Sequence, residues 1–243
     1  MLLLIVACAK PPSAVDTGLI DSGGRETGDA GGSNETGDGS GFDPPSEPGP
    51  CGRWAGVQGL GTSWTFVPTA AYVAAYGFDG SYNTTVTSVA DEVTLQTEGR
   101  YDSANGYITW TRTDIWRCDE YGAWFTHSDA SSSSLSGTDV ITQSGWRDFD
   151  PGWLIRPAAL DVGTTWTDDF IYTGEVNGAP QPEAAVHCDS SVTAAETRTL
   201  PIATLDTLKL DATCDNIRGP DGWLAEYVGL VETGEELLSE FVP

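Results

Sequence analysis

The stretch EAAVHCDSSVTAAETRTLPIATLDTLKLDATCDN, residues 183–216, alternates small or apolar residues with polar ones on both sides of Pro201. Period-two alternation marks strands with one face toward a core, and a proline between two such runs marks a turn. Folded back at Pro201, the arms make a hairpin in which Val192 faces Leu210 and Ala194 faces Leu208. Further out on the same face, Ser190 meets Ala212 and Cys188 meets Cys214. The opposite face pairs Thr193 with Lys209 and Ser191 with Asp211, which suits water. The register that matches apolar with apolar therefore sets two thiols opposite each other. Directly opposed Cβ atoms stand about 4.5–5.5 Å apart, or less, against the roughly 3.8 Å a disulfide prefers. A Cys188–Cys214 bridge is expected, with some strain.

The chain has five cysteines. Cys8 closes Ile5-Val6-Ala7-Cys8, which resembles the lipobox of bacterial lipoproteins, with the thiol as the site of lipidation. Residues 1–7 then read as a signal peptide. Its apolar run, Leu2 to Ala7, is shorter than the roughly 7–15 residues of a secretory core and has no basic residue before it. A start codon upstream is the simplest explanation. Six residues cannot span a bilayer, which takes about 20, so the membrane is reached through the lipid anchor only. Ala9, where Asp would signal inner-membrane retention, favours the outer membrane. With Cys8 set aside, four cysteines remain, an even number suited to an oxidising compartment. By elimination the second disulfide joins Cys51 and Cys118. Four reduced thiols are the alternative. A zinc site is a third reading, served poorly by the absence of Cys-x-x-Cys and by only two histidines, His127 and His187. No metal or cofactor is expected.

Residues 8–50 are Gly, Ser, Thr, Asp, Glu and Pro with a loose acidic-x-Gly beat, as in Asp16-Thr17-Gly18 and Glu26-Thr27-Gly28. Such a segment buries too little apolar surface to offset its ordering entropy, and reads as a disordered linker. Its mean reach is about 35 Å. Asp-Thr-Gly-rich linkers of this kind resemble those of predicted myxobacterial lipoproteins. A net charge of −25, from 36 acidic and 11 basic residues, excludes nucleic acid as a natural partner because phosphate would be repelled. A monomer is expected.

Residues 51–243 form the β-domain. Tyr82, Thr84 and Val86 alternate with polar neighbours, as do Val93 and Leu95, with Ala90-Asp91 as the turn between them. Tyr107 to Cys118 makes a long strand, Asp119 to Gly122 turns it, and Ala123-Trp124-Phe125 returns. Ser131 to Gly137 reads as a loop. Trp223 to Val231 reads as one strand and Glu236 to Val242 as a closing strand, although Leu237, Leu238 and Phe241 also share a helical face. Gly61-Thr62-Ser63-Trp64-Thr65 recurs as Gly163-Thr164-Thr165-Trp166-Thr167, which two similar half-sheets or chance matches of common strand residues would both explain.

The order Trp-Arg-Cys-Asp (116–119), Leu-Asp-Val-Gly-Thr-Thr-Trp (160–166), Leu-Pro-Ile-Ala-Thr-Leu (200–205) and Tyr-Val-Gly-Leu-Val (227–231) resembles exported β-domains of the TapB-like type. Pro201-Ile202-Ala203-Thr204-Leu205 departs from the Pro-Ala-Gly-Thr-Phe turn common in them. The resemblance implies a mainly β fold, one antiparallel, strongly curved sheet, half-barrel or barrel-like, related to the LolA/LolB half-barrel. It implies no reaction.

No catalytic constellation emerges. His127 beside Ser128 and Asp129 is ordinary for a strand running into polar sequence, and His127 and His187 both read as surface residues rather than members of a triad. The nine tryptophans are more suggestive. Most sit in strand-like contexts and should pack in a core. Trp146 and Trp153, in Gly-Trp-Arg-Asp-Phe-Asp-Pro-Gly-Trp, read as loop residues and are the candidate ligand contacts. The expectation is therefore a lipid-anchored envelope protein with a non-catalytic β-domain, binding a lipid or other apolar ligand or serving a structural role. The alternative is a surface carbohydrate-binding module or carbohydrate-active enzyme using exposed Trp and carboxylates.

Overall fold

The computed structural model describes residues 42–217 and 219–243. Twelve antiparallel strands run in chain order and close on themselves: β1 (Ser63–Pro68), β2 (Asp79–Val89), β3 (Glu92–Ser103), β4 (Gly106–Asp119), β5 (Gly122–Ser136), β6 (Asp139–Pro157), β7 (Thr165–Val176), β8 (Ala179–Thr199), β9 (Thr204–Cys214), β10 (Gly222–Ala225), β11 (Gly229–Glu232) and β12 (Glu236–Val242). Each strand bonds its sequence neighbours, and β1 bonds β12 to complete the barrel. The strongly curved antiparallel sheet read from the sequence is present and goes past a half-barrel to full closure.

Alternation explains the wall. Along β3, Val93, Leu95, Thr97 and Tyr101 are buried, with more exposed residues between them. Tyr101, Leu210, Leu224 and Leu238 are among the largest fully buried side chains, and a large apolar side chain so placed contributes about 1.5–3 kcal/mol. The β8–β9 hairpin keeps the expected register from Cys188–Cys214 to Val192–Leu210. A bulge at Thr193 then shifts it, so Ala194 faces Lys209 and Ala195 faces Leu208. A bulge adds one unpaired residue and reverses the facing of the residues beyond it. Here it lets the Thr193 hydroxyl donate to Asp211 at 2.6 Å.

Both expected disulfides form, Cys51–Cys118 and Cys188–Cys214. The first ties the segment before β1 to β4. That segment buries Cys51, Trp54, Ala55 and Val57 and packs against the turn between β10 and β11, where Tyr227 N–H donates to Arg53 O at 2.6 Å. Phe42, within the stretch read as linker, meets Phe241 edge-on at 6.1 Å, so contact with the barrel begins by residue 42. The signal peptide, Cys8 and the linker to residue 41 lie outside the described residues.

Three readings are corrected, and one element is added. Ser131 to Ser136 is not a loop but belongs to β5, where small hydroxyl residues pair along β4 and β6. The Trp146–Trp153 segment is not a loop either; it lies within β6, bulged near Asp150-Pro151-Gly152. Trp223–Val231 is two strands, broken at Tyr227, which takes a positive φ of 63°. A short helix, α1 (Ala70–Tyr76), joins β1 to β2 with Thr69 as its N-cap and Gly77 as its C-cap.

Candidate functional site

Inside the barrel wall lies a half-open cavity of about 160 Å³. Its lining is mostly aromatic and aliphatic. Trp64 and Phe66 come from β1, Tyr82 from β2, Leu95 from β3, Trp110 and Trp116 from β4, Phe125 from β5, and Trp153 and Ile155 from β6. The rings contact one another in two groups. Phe66 stacks on Tyr82 at 5.0 Å, and Trp110 meets Tyr101 at 4.9 Å. In the second group Phe125 stacks on Phe149 at 4.7 Å, and Trp153 stacks on Phe170 at 5.5 Å. Such contacts add roughly 0.5–1.5 kcal/mol each beyond area burial and hold the wall in shape.

Polar side chains also face this space. Glu236, 2% exposed, accepts hydrogen bonds from the hydroxyls of Tyr82 at 2.8 Å and Tyr101 at 3.0 Å. Burial and the neighbouring carboxylate push both phenols up, so they stay protonated donors. On β4, Arg112 Nε lies 2.8 Å from Asp114, and Asp114 also accepts from the Ser128 hydroxyl at 2.8 Å. Arg156 lines the same cavity. Asp168 serves a structural end: its carboxylate accepts from Leu154 N–H at 2.5 Å, where β6 leaves its pairing with β7. Burial raises the pKa of Asp168, against that hydrogen bond.

The two tryptophans singled out in the sequence part company. Trp153 is 3% exposed, inside the barrel among Phe125, Phe149 and Phe170. The expectation of an exposed ring there is corrected: the bulge in β6 turns Trp153 inward, into the cavity wall. Trp146 shares the opposite face of β6 with Asp148, beside Asp129 and Glu175 on neighbouring strands. The pair does not form one site. His127 and Ser128 also separate. His127 lies on the outer wall between Asp148 at 2.5 Å and Asp129 at 2.8 Å, whereas Ser128 is buried against Asp114.

Glu236 and Arg156 escaped the sequence reading. For Glu236 a signal existed: it falls two residues before Leu238 in an alternating strand, an inward position. For Arg156 the bulge between Ala123 and Trp124 of β5 and their β6 partners breaks the parity that would have placed it. A second, shallower depression of about 400 Å³ lies on β4–β6, lined by Trp110 and by hydroxyl residues including Thr111, Ser131, Thr142 and Ser144. Among the described residues no cluster suited to a metal ion occurs, and no helix is long and apolar enough to cross a membrane.

Fold and cavity together define a closed antiparallel barrel with an aromatic interior. No family model, curated protein or solved structure matches the chain.

Proposed function

We propose that this chain is an exported, lipid-anchored envelope protein whose barrel binds a small apolar ligand in its interior without reacting with it. The ring-lined cavity carries the reading. Its volume decides the size class. An engineered apolar cavity of about 150 Å³ stays dry and holds benzene, whereas pockets for drug-sized molecules run to roughly 300–1,000 Å³. The interior therefore suits one ring or a short chain rather than a whole lipid tail. The two disulfides are consistent with an oxidising, extracytoplasmic compartment. Lipidation at Cys8, and the outer membrane as destination, complete the proposal on the strength of the Ile5–Cys8 motif.

Native mass spectrometry of the full chain isolated from its host envelope tests it. The expected spectrum carries diacylglyceryl at Cys8 and an adduct the size of a single-ring molecule. A ligand-free mass, together with no change in tryptophan fluorescence on titration with benzene, overturns the binding reading. An unacylated Cys8 overturns the anchor.

A second reading, carbohydrate binding, is favoured by the hydroxyl-lined depression around Trp110. A glycan array discriminates: glycan binding lost in Ser131→Ala/Ser144→Ala, while benzene still changes tryptophan fluorescence as in wild type, supports this depression, and undiminished glycan binding overturns it.

A further inference from the structure

Arg156 is 7% exposed and lines the interior cavity. A guanidinium carries five N–H donors and stays charged in a protein. The hydrogen bond found for this one runs from Nη1 to the Ile155 carbonyl at 2.6 Å. Among the described residues no carboxylate lies within ion-pair distance of it. Burial alone draws its pKa down to about 10, so it is a cation at neutral pH. An uncompensated buried charge is among the costlier features a fold can carry.

The other charged groups of the cavity have protein partners. Arg112 is matched by Asp114, and Glu236 is held by two tyrosine hydroxyls. Arg156 is thus the group whose charge the lumen leaves to be met. Its surroundings are apolar, with Trp116, Phe125, Trp153 and Ile155 lining the same space.

Resting on the reading of the barrel as a small-ligand binder, we propose that the ligand is a monocarboxylate with a small aromatic or short aliphatic body. The body lies among the rings of Trp116, Phe125 and Trp153, and the carboxylate takes paired hydrogen bonds from Arg156. The planar guanidinium fork matches a carboxylate in this two-point manner. A second negative charge on the ligand is disfavoured, because Asp114 and Glu236 line the same cavity. Volume selects the body and Arg156 selects the head.

Titration of the full chain with benzoate and with benzyl alcohol, read by tryptophan fluorescence and calorimetry, tests this. The two probes share the ring and differ in charge. Wild type should bind benzoate at least about tenfold more tightly, the order expected of charge-assisted hydrogen bonds to a buried guanidinium. Arg156→Met should lose that advantage while keeping benzyl alcohol, and should fold, since replacing a buried charge by a side chain of similar length is well tolerated. Arg156→Lys, which keeps the charge but not the fork, should fall between. Equal binding of the probes by wild type overturns the inference, as does undiminished benzoate binding by Arg156→Met. If Arg156→Met does not fold, the wild-type ratio and Arg156→Lys decide. Benzyl alcohol bound without benzoate overturns this inference alone. Neither probe bound overturns the lumen reading as well.

Discussion

Gly61 and Gly163 adopt the same left-handed backbone, with φ of 92° and 93°, and make the same bracket. Gly61 N–H donates to Val86 O at 2.9 Å, and Val86 N–H returns to Thr62 O at 2.8 Å. Gly163 donates to Val192 O at 2.8 Å, and Val192 returns to Thr164 O at 2.9 Å. The two Gly-Thr-x-Trp-Thr segments thus open β1 and β7 in one geometry, at the heads of two runs of six strands. A Cβ at this φ costs about 1–2 kcal/mol. Gly61→Ala and Gly163→Ala should each lower unfolding free energy by that amount in urea titration. A loss at one position only would deny their equivalence.

Tyr82→Phe and Tyr101→Phe should each cost about 1.5–3 kcal/mol, the range for a hydrogen bond to a charged group. Both hydroxyls serve Glu236, so the double variant should depart from the sum of the singles. A double-mutant cycle by urea unfolding measures this. Strict additivity would mean that the two bonds do not share an acceptor.

The imidazole of His127 makes stability depend on pH. Burial opposes its charge, but hydrogen bonds to Asp148 and Asp129 outweigh that, and its pKa is raised. The added stability is complete below the unfolded value of about 6.5 and is lost as pH rises through the higher folded value. Wild-type Tm should therefore fall relative to His127→Gln as pH climbs from about 6 through the folded pKa. NMR titration should also find His187 raised, by its hydrogen bond to Asp169. A histidine titrating below the ordinary value would contradict the arrangement.

The two disulfides should differ in worth. They close loops of 67 and 26 residues, for which chain entropy gives roughly 4.5 and 3.5 kcal/mol. Cys51→Ser/Cys118→Ser should be the more destabilised pair, and should also free the segment around Trp54 to limited proteolysis. Equal midpoints in denaturant would show that loop length does not govern the difference.

Legibility in the sequence followed parity. Where strands alternate without interruption, as in Val93 to Tyr101 or Cys188 to Val192, side-chain direction could be read, and with it a disulfide. Each bulge reset the count. Thr193 displaced Ala194 from Leu208, and the irregular β6 moved Trp153 from an expected exposed loop to the interior and hid Arg156. The serine run of β5 lacks the β-branched and aromatic content that announces a strand, and takes its conformation from long neighbours on both sides. The helix at Ala70–Tyr76 carried a readable cap, Thr69 before an alanine-rich run and Gly77 after it, but spans too few turns to show a period. The cavity has no local signature at all, because its wall is assembled from strands far apart in the chain.

Joining β1 to β12 has a bearing on how this protein can meet others. Each terminal strand already spends its outward amides and carbonyls on the other, so neither presents a template for a foreign chain to extend. Recruitment by strand addition, a common route for sheet proteins, is closed at that seam. At that seam a partner is left the outer side chains and the turns.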